Sequence, residues 1–276
     1  MGVRQSTPPI DRVQGDVMNV NSYVVSGPTG AVVIDGQLTI SDARKVRDRV
    51  RATGLPLAGV VVTHGHPDHY AGLRHMTDGA DVPILAAAEV ATVIRSDDAV
   101  KDTIVGPMMG DEWPSDRIFP NTLVEPGDSV TLGGVTLQMT DLGPAESRHD
   151  TLWHLDDTTA FVGDVAYNQT HAYLLDGNWD PWLAVLTRLE HDLPVDARLY
   201  VGHGEPGGIE LLTRQRRYIE TFVQAVGDTL DRTETARHDE VVSRMMQLVP
   251  TDELRFLMEL SIEPAASQLR AGSAGG

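Results

Sequence analysis

Four side chains able to bind a metal ion, His64, His66, Asp68 and His69, crowd into the run Val-Val-Val-Thr-His-Gly-His-Pro-Asp-His over residues 60–69. Imidazole nitrogen and carboxylate oxygen are ligands of Zn²⁺, Mn²⁺ and Fe²⁺. One histidine beside a strand is ordinarily structural; three with an aspartate at this spacing read as a metal site. The β-branched run Val60-Val61-Val62 predicts a buried strand that ends at Thr63. Gly65 and Pro67 break any helix or strand through the cluster, which places these side chains on a loop at the strand's C-terminal end.

The pattern His-x-His-x-Asp-His resembles that of the metallo-β-lactamase-fold hydrolases. In that family the first two histidines serve one metal and the Asp-His pair a second. The resemblance therefore implies two divalent metal ions, zinc first, with manganese or iron as competitors. It also implies three ligands further along. Asp164, which closes the run Phe-Val-Gly-Asp, matches the bridging aspartate, whose two oxygens can hold cations about 3.5–4 Å apart. His203, in Val-Gly-His-Gly-Glu, matches the late histidine. The middle ligand departs from the commonest pattern, a histidine in Gly-x-x-His or Gly-His-Thr. Here the segment 141–150 reads Asp-Leu-Gly-Pro-Ala-Glu-Ser-Arg-His-Asp. Register from the Gly-Pro-Ala turn puts Glu146 in the histidine's place, and His149 is its rival three residues on. A carboxylate there makes the donor set harder, so Mn²⁺ or Fe²⁺ competes better with Zn²⁺, and leaves bound water less acidic. Asp35, after the second strand, matches an aspartate that commonly supports the metal loop from behind.

Function follows from the resemblance: a metal-activated hydroxide cleaving a small-molecule ester, lactone or thioester. Asp68 would orient the hydroxide or carry its proton to the leaving group. Tyr167, three residues beyond Asp164, has the spacing of a tyrosine that holds the substrate carbonyl in the lactonase branch; its other reading is a ring packed at a strand exit. His171 is a candidate for the pocket mouth. Trp113 and Met109 are candidates for a substrate wall, since the apolar, proline-broken segment 106–121 reads as a pocket lid or as a surface connection packed on itself. On the same fold the alternatives are an iron-dependent redox enzyme of the dioxygenase or oxygen reductase type, a β-lactam or phosphodiester hydrolase, and a non-catalytic scaffold.

Composition narrows these. A net charge of −18 repels a phosphate backbone, which argues against a nucleic-acid partner. The dense basic run Arg214-Gln215-Arg216-Arg217 reads as a solvated helix face. With no cysteine, there is no disulfide framework, thiolate ligand or thiol nucleophile. Residues 1–9 lack a signal-peptide pattern and no apolar run reaches a membrane span, so the expectation is a cytoplasmic protein acting on a small molecule with no membrane partner. The Met108-Met109-Trp113 loop fits a homodimer contact as well as a substrate wall.

The elements that must position the cluster follow an α/β order. Strands are expected over 17–25, 31–34, 60–62, 82–86, 122–124, 129–132, 135–140, 151–155, 159–162 and 197–201. Helices are expected over about 42–53, 69–78, 87–100, 179–193, 208–230 and 233–248. Such alternation implies packed α/β layers, and the resemblance specifies a four-layer αβ/βα sandwich with C-terminal helices. The expected organisation is an N-terminal arm (1–14), a single domain (15–264) that includes the helices from about 208, and a disordered tail (265–276).

Overall fold

The computed structural model describes residues 7–273. Its elements, in chain order, are β1 (Ile10–Gln14), β2 (Asn21–Ser26), β3 (Ala31–Ile34), α1 (Ile40–Ala52), β4 (Leu57–Val61), α2 (Pro67–Tyr70), α3 (Leu73–Thr77), β5 (Ile84–Ala87), α4 (Ala88–Ile104), α5 (Gly106–Met109), β6 (Thr122–Val124), β7 (Ser129–Leu132), β8 (Val135–Gly143), β9 (Asp150–Asp156), β10 (Thr159–Gly163), α6 (Trp179–Asp192), β11 (Arg198–Val201), α7 (Glu210–Gly227), α8 (Glu234–Leu248) and α9 (Arg255–Ser273).

Two sheets result. The first runs β1-β2-β3-β4-β5-β6, and the second β11-β10-β9-β8-β7. In the first, β3, β4, β5 and β6 are parallel, which requires crossovers on the sheet's face; α1 and α4 supply them. Thr39 caps α1 by accepting from the Asp42 amide, and the helix buries Ala43, Val46 and Val50 along one stripe. The sheets face each other through Tyr23, Leu137, Met139, Trp153 and Phe161, all buried, with the Tyr23 and Phe161 rings 5.6 Å apart. On the outer face of the second sheet, Leu152, Val162, Leu199 and Val201 pack against Trp182, Leu186, Leu212, Phe222 and Met258 of the helices. The arrangement is the four-layer sandwich expected from the sequence, with C-terminal helices. No helix among the described residues is long and apolar enough to cross a membrane.

Four expectations are corrected. The arm was expected to reach residue 14, but Ile10–Gln14 is a strand paired antiparallel with β2. The single strand expected over 17–25 is interrupted because Met18 and Asn19 turn in the left-handed region, φ 64° and 50°. That turn folds β1 back onto β2. Residues 1–6 of the arm and 274–276 of the tail lie outside the described residues. From 265 to 273 the tail is helical, and Ala265 and Ala266 are fully buried against the second core. Small residues at helical spacing let α9 sit close to its neighbours, a role that composition disguises as a polar tail. Finally, segment 106–121 is less broken than expected: α5 and a 3₁₀ turn at Gly110–Glu112 continue α4.

Candidate metal centre

The cluster lies where the C-terminal ends of β3 and β4 meet the ends of β8, β10 and β11. Backbone bonds stitch the two sheets together at this point. Thr151 N donates to Thr63 O at 3.1 Å and Asn21 N to Gly202 O at 2.7 Å, and isolated bridges join His64 to Asp150 and Val20 to His203. A register shift in β10 between Phe161 and Gly163 turns the strand end so that Asp164 enters the site, a common use of bulges.

Asp35 anchors the site from behind. Its carboxylate accepts from Thr63 N and Thr63 Oγ1, each at 2.9 Å, and pairs with His69 Nδ1 at 2.9 Å. These bonds set the tautomers. His69 donates through Nδ1, so its Nε2 carries the free lone pair. Because Thr63 spends its one hydroxyl hydrogen on Asp35, it accepts from His64 Nδ1 at 3.0 Å, which frees His64 Nε2. His203 Nδ1 donates to the Met18 carbonyl at 2.9 Å, which again turns Nε2 towards the cluster. Fixing one ring nitrogen to present the other is how metal-binding histidines are held.

Two groups of donor atoms result, each lying within 4.8 Å: His64, His66 and Glu146, and Asp68, His69, Asp164 and His203, all buried. In the first, Glu146 Oε2 lies 3.0 Å from His66 Nδ1 and 3.7 Å from His64 Nε2. In the second, His203 Nε2 lies 3.2 Å from both Asp68 Oδ2 and Asp164 Oδ2, and His69 Nε2 lies 3.4 Å from Asp164 Oδ1. Tyr167 spans the two, with its hydroxyl 2.7 Å from Asp164 Oδ2 and 3.1 Å from Glu146 Oε1, and its ring is stacked on His203. Close packing here depends on Gly202, where a Cβ would collide with Asp164 Oδ1 and lie 2.8 Å from His69 Cε1.

The donor set fits divalent cations on a direct test. His64 Nε2, His69 Nε2, Glu146 Oε2 and Asp164 Oδ1 are buried and have no hydrogen-bond partner. Orphaned buried atoms are rare and each costs about 1–3 kcal/mol; four converging on one region are explained if cations engage them. Burial pushes the Glu146 carboxyl up to about 8, against the pull of His66. Burial, reinforced by His69, holds His64 well below the usual imidazole range, and so keeps it neutral and able to ligate. Burial and Asp164 keep the Tyr167 hydroxyl protonated, well above its ordinary value.

A pocket of about 120 Å³ opens onto this centre, lined by His66, Asp68, Glu146, Asp164, Tyr167 and His203 together with Met18, Lys101, Tyr173 and Leu257. The rival ligand His149 stays outside both groups, with Nε2 on Asp141 at 2.8 Å. Three substrate-contact candidates are corrected. His171 is fully buried and committed on both ring nitrogens, to Tyr218 Oη at 2.9 Å and Thr251 O at 3.0 Å. Trp113 donates to Asp102 at 2.7 Å under the Arg117 guanidinium. With Met109 it packs on Leu38 and Ala71, behind Met18 rather than in the pocket.

Sequence reasoning missed other members of the site. Asp176 approaches His66 Nε2 at 3.6 Å, opposite Glu146. Asp150 accepts from Ser147 N and Oγ and so holds the turn that carries Glu146. Asp150 stood at the end of the segment 141–150 and was a readable acid; nothing in the sequence near Asp176, Tyr173 or Leu257 marks them, because only the tertiary fold brings them in.

Comparison with known proteins is consistent with this geometry. A family model described as the metallo-beta-lactamase superfamily matches residues 15–203. A hydroxyacylglutathione hydrolase of Bdellovibrio bacteriovorus is 26% identical over 162 residues, 59% of this chain and 55% of that protein. A beta-lactamase hydrolase-like protein of Agrobacterium fabrum is 27% identical over 213 residues, 67% of this chain and 44% of its own length. The chain thus spans about half the length of the curated relatives it matches. Among solved structures, a metallo-beta-lactamase family protein of Thermus thermophilus superposes with a TM-score of 0.69 at 18% identity, covering 96% of this chain and 94% of that one. A sec-alkylsulfatase of Pseudomonas gives 0.66 at 17% identity, over 90% and 47%. At such identities the superpositions speak for the fold alone.

Proposed function

The chain belongs to the metallo-beta-lactamase superfamily, and from that premise we propose that it is a hydrolase of small-molecule acyl esters, thioesters foremost, with oxygen esters and lactones as close variants. The observation that carries the reading is the pair of adjacent buried donor groups with their unpartnered atoms turned towards one pocket. Thioesters are placed first because the curated relatives are named as hydrolases of an acyl-glutathione.

In this reading His64, His66 and Glu146 would hold one cation, and Asp68, His69, Asp164 and His203 a second. Bound divalent metal lowers the pKa of water and polarises a carbonyl. Zinc suits the imidazoles, and the carboxylate of Glu146 favours manganese or iron more than a third histidine would. Asp68, at the pocket wall, orients the attacking water or accepts its proton at a carboxylate oxygen. The protonated Tyr167 hydroxyl donates to Asp164 or Glu146 and fixes their orientation beside the reacting carbonyl. Met18, Tyr173 and Leu257 exclude bulk water, which strengthens every polar contact inside. Asp35, buried behind the loop, acts by positioning His69 and Thr63.

The test is turnover of chromogenic thioester, ester and lactone substrates by protein purified without chelators, repeated after dialysis against chelator and after adding metal back. Turnover that chelator abolishes and metal restores supports the proposal. Iron absorption with oxygen uptake and no hydrolysis would replace it with the redox reading, which the oxygen donor Glu146 makes the specific competitor.

A further inference from the structure

The pocket over the metal centre is small. Sites that enclose a whole small-molecule ligand usually measure about 300–1,000 Å³, whereas this one measures about 120 Å³. It therefore holds a reacting group and little else, and the remainder of any substrate must rest elsewhere. A second cavity of about 650 Å³ lies next to Tyr167, between the loop after β10, helix α7 and the segment 248–251. Tyr167 lines both spaces.

Arg214 and Arg217 are the charged residues lining this second cavity. They stand on adjacent turns of α7, where residues three apart share a face, and both are exposed. Neither guanidinium has an ion-pair or hydrogen-bond partner among the described residues, although acidic residues outnumber basic ones 40 to 22 in this chain. Arg216, between them, is paired with Glu190, so the run is not simply a solvated face. Two residues of the cavity wall, Gln215 and Thr170, also carry unpartnered polar atoms, Gln215 Nε2 and Thr170 Oγ1, although both atoms are closed off from solvent. Gln215 is held in place by accepting from the Tyr167 amide at 3.2 Å. The floor is fixed by Tyr218, whose hydroxyl accepts from Ala172 N and meets His171. Two unpaired guanidiniums thus share one face of this cavity, and two such planar groups side by side suit an acceptor-rich anion.

We infer that this cavity binds the anionic end of the substrate, a carboxylate or a phosphate, through Arg214 and Arg217, while the scissile carbonyl occupies the neighbouring pocket that shares Tyr167. The assignment of the anion to a substrate rests on the hydrolase reading; the anion site itself does not. Specificity would then be for acyl compounds with a negative charge at one end, and the helices beyond β11 would select the substrate.

Calorimetric titration of the metal-loaded protein with glutarate, and separately with inorganic phosphate, tests the site directly. Saturable binding of either probe, weakened about tenfold or more in R214Q/R217Q, is expected from the loss of charge-assisted hydrogen bonds; which probe binds identifies the group. No saturable binding of either probe, or binding unchanged in the variant, overturns the site, since an anion held by the metals would ignore these arginines. A paired assay then tests use by substrate. Butyryl and glutaryl esters of one chromophore are compared by kcat/KM, with the glutaryl ester (or its phosphorylated counterpart, if phosphate is the binder) favoured about tenfold in the wild type and the ratio falling towards one in R214Q/R217Q. Equal ratios in the two proteins overturn the substrate assignment. Absence of turnover on both esters counts against the hydrolase reading, and the titration alone then decides the anion site.

Discussion

Around the metal centre, position is set by hydrogen bonds: Asp35 to Thr63 and His69, Thr63 to His64, Met18 to His203, Asp150 to the Glu146 turn. In α7, α8 and α9 it is set by apolar contact, through Leu211, Ile219, Phe222, Met245, Met258 and Ala266. Hydrogen bonds are directional, so the strand-end loops have one arrangement that satisfies them. Apolar packing tolerates exchange of side chains of similar volume, so the helices can vary their exposed residues without disturbing the chemistry next door. On the proposed reading, reaction belongs to the loops and choice of substrate to the helices.

Substitutions should separate the two regions, and the largest effect belongs to the loops. Asp164→Ala removes a carboxylate of the second donor group. Metal analysis should show at least one equivalent lost, and kcat/KM should fall more than about a hundredfold, beyond the 10–100-fold typical of residues that merely support ligands. Asp35→Asn keeps the shape but weakens the acceptor for His69 Nδ1 and Thr63. Its metal affinity, by competition with a chelator dye, should fall about 10–100-fold while the fold is retained.

Next comes Asp42, which is fully buried and accepts from Asp16 N at 3.0 Å, Val17 N at 3.2 Å and Lys45 Nζ at 2.8 Å. Burial opposes its ionisation, but Lys45 and the two amides prevail and hold the carboxyl below its usual value. A carboxyl depressed in the folded state stabilises the protein fully above its unfolded pKa of about 3.9 and loses that contribution as pH falls through the folded value. Asp42→Asn should therefore cost about 2 kcal/mol near neutrality, with the gap from wild type closing below about pH 4 in urea melts. The smallest effect is expected at Trp113. As it packs behind Met18 and does not line the pocket, Trp113→Phe should leave kcat/KM within about twofold, at a stability cost under about 1.5 kcal/mol. A larger change in KM would return it to the substrate wall.

Much of the loop chemistry was legible in the sequence because it is local. His64, His66, Asp68 and His69 share one strand end, and Asp164 and His203 follow strands whose apolar runs are unmistakable; the structure brings all six together with Glu146. What lay hidden depends on distant contacts. Asp176 and Leu257 reach the site from elements with no motif. His171 looked available beside a tyrosine and an asparagine until Tyr218 of α7 and Thr251, between α8 and α9, enclosed it. Helix α9 was obscured because Pro264 interrupts its pattern and its tail is made of small residues. The basic run on α7 was read as solvated because the sequence does not say that Glu190 takes the middle arginine and leaves the outer pair without partners.

The most direct test counts metal ions per chain by native mass spectrometry, in the wild type and in Glu146→Ala. Two buried donor groups predict two equivalents in the wild type and one fewer when Glu146 is removed. An unchanged count in the variant would take the middle ligand away from Glu146, and a wild type that binds no metal after reconstitution would contradict the account.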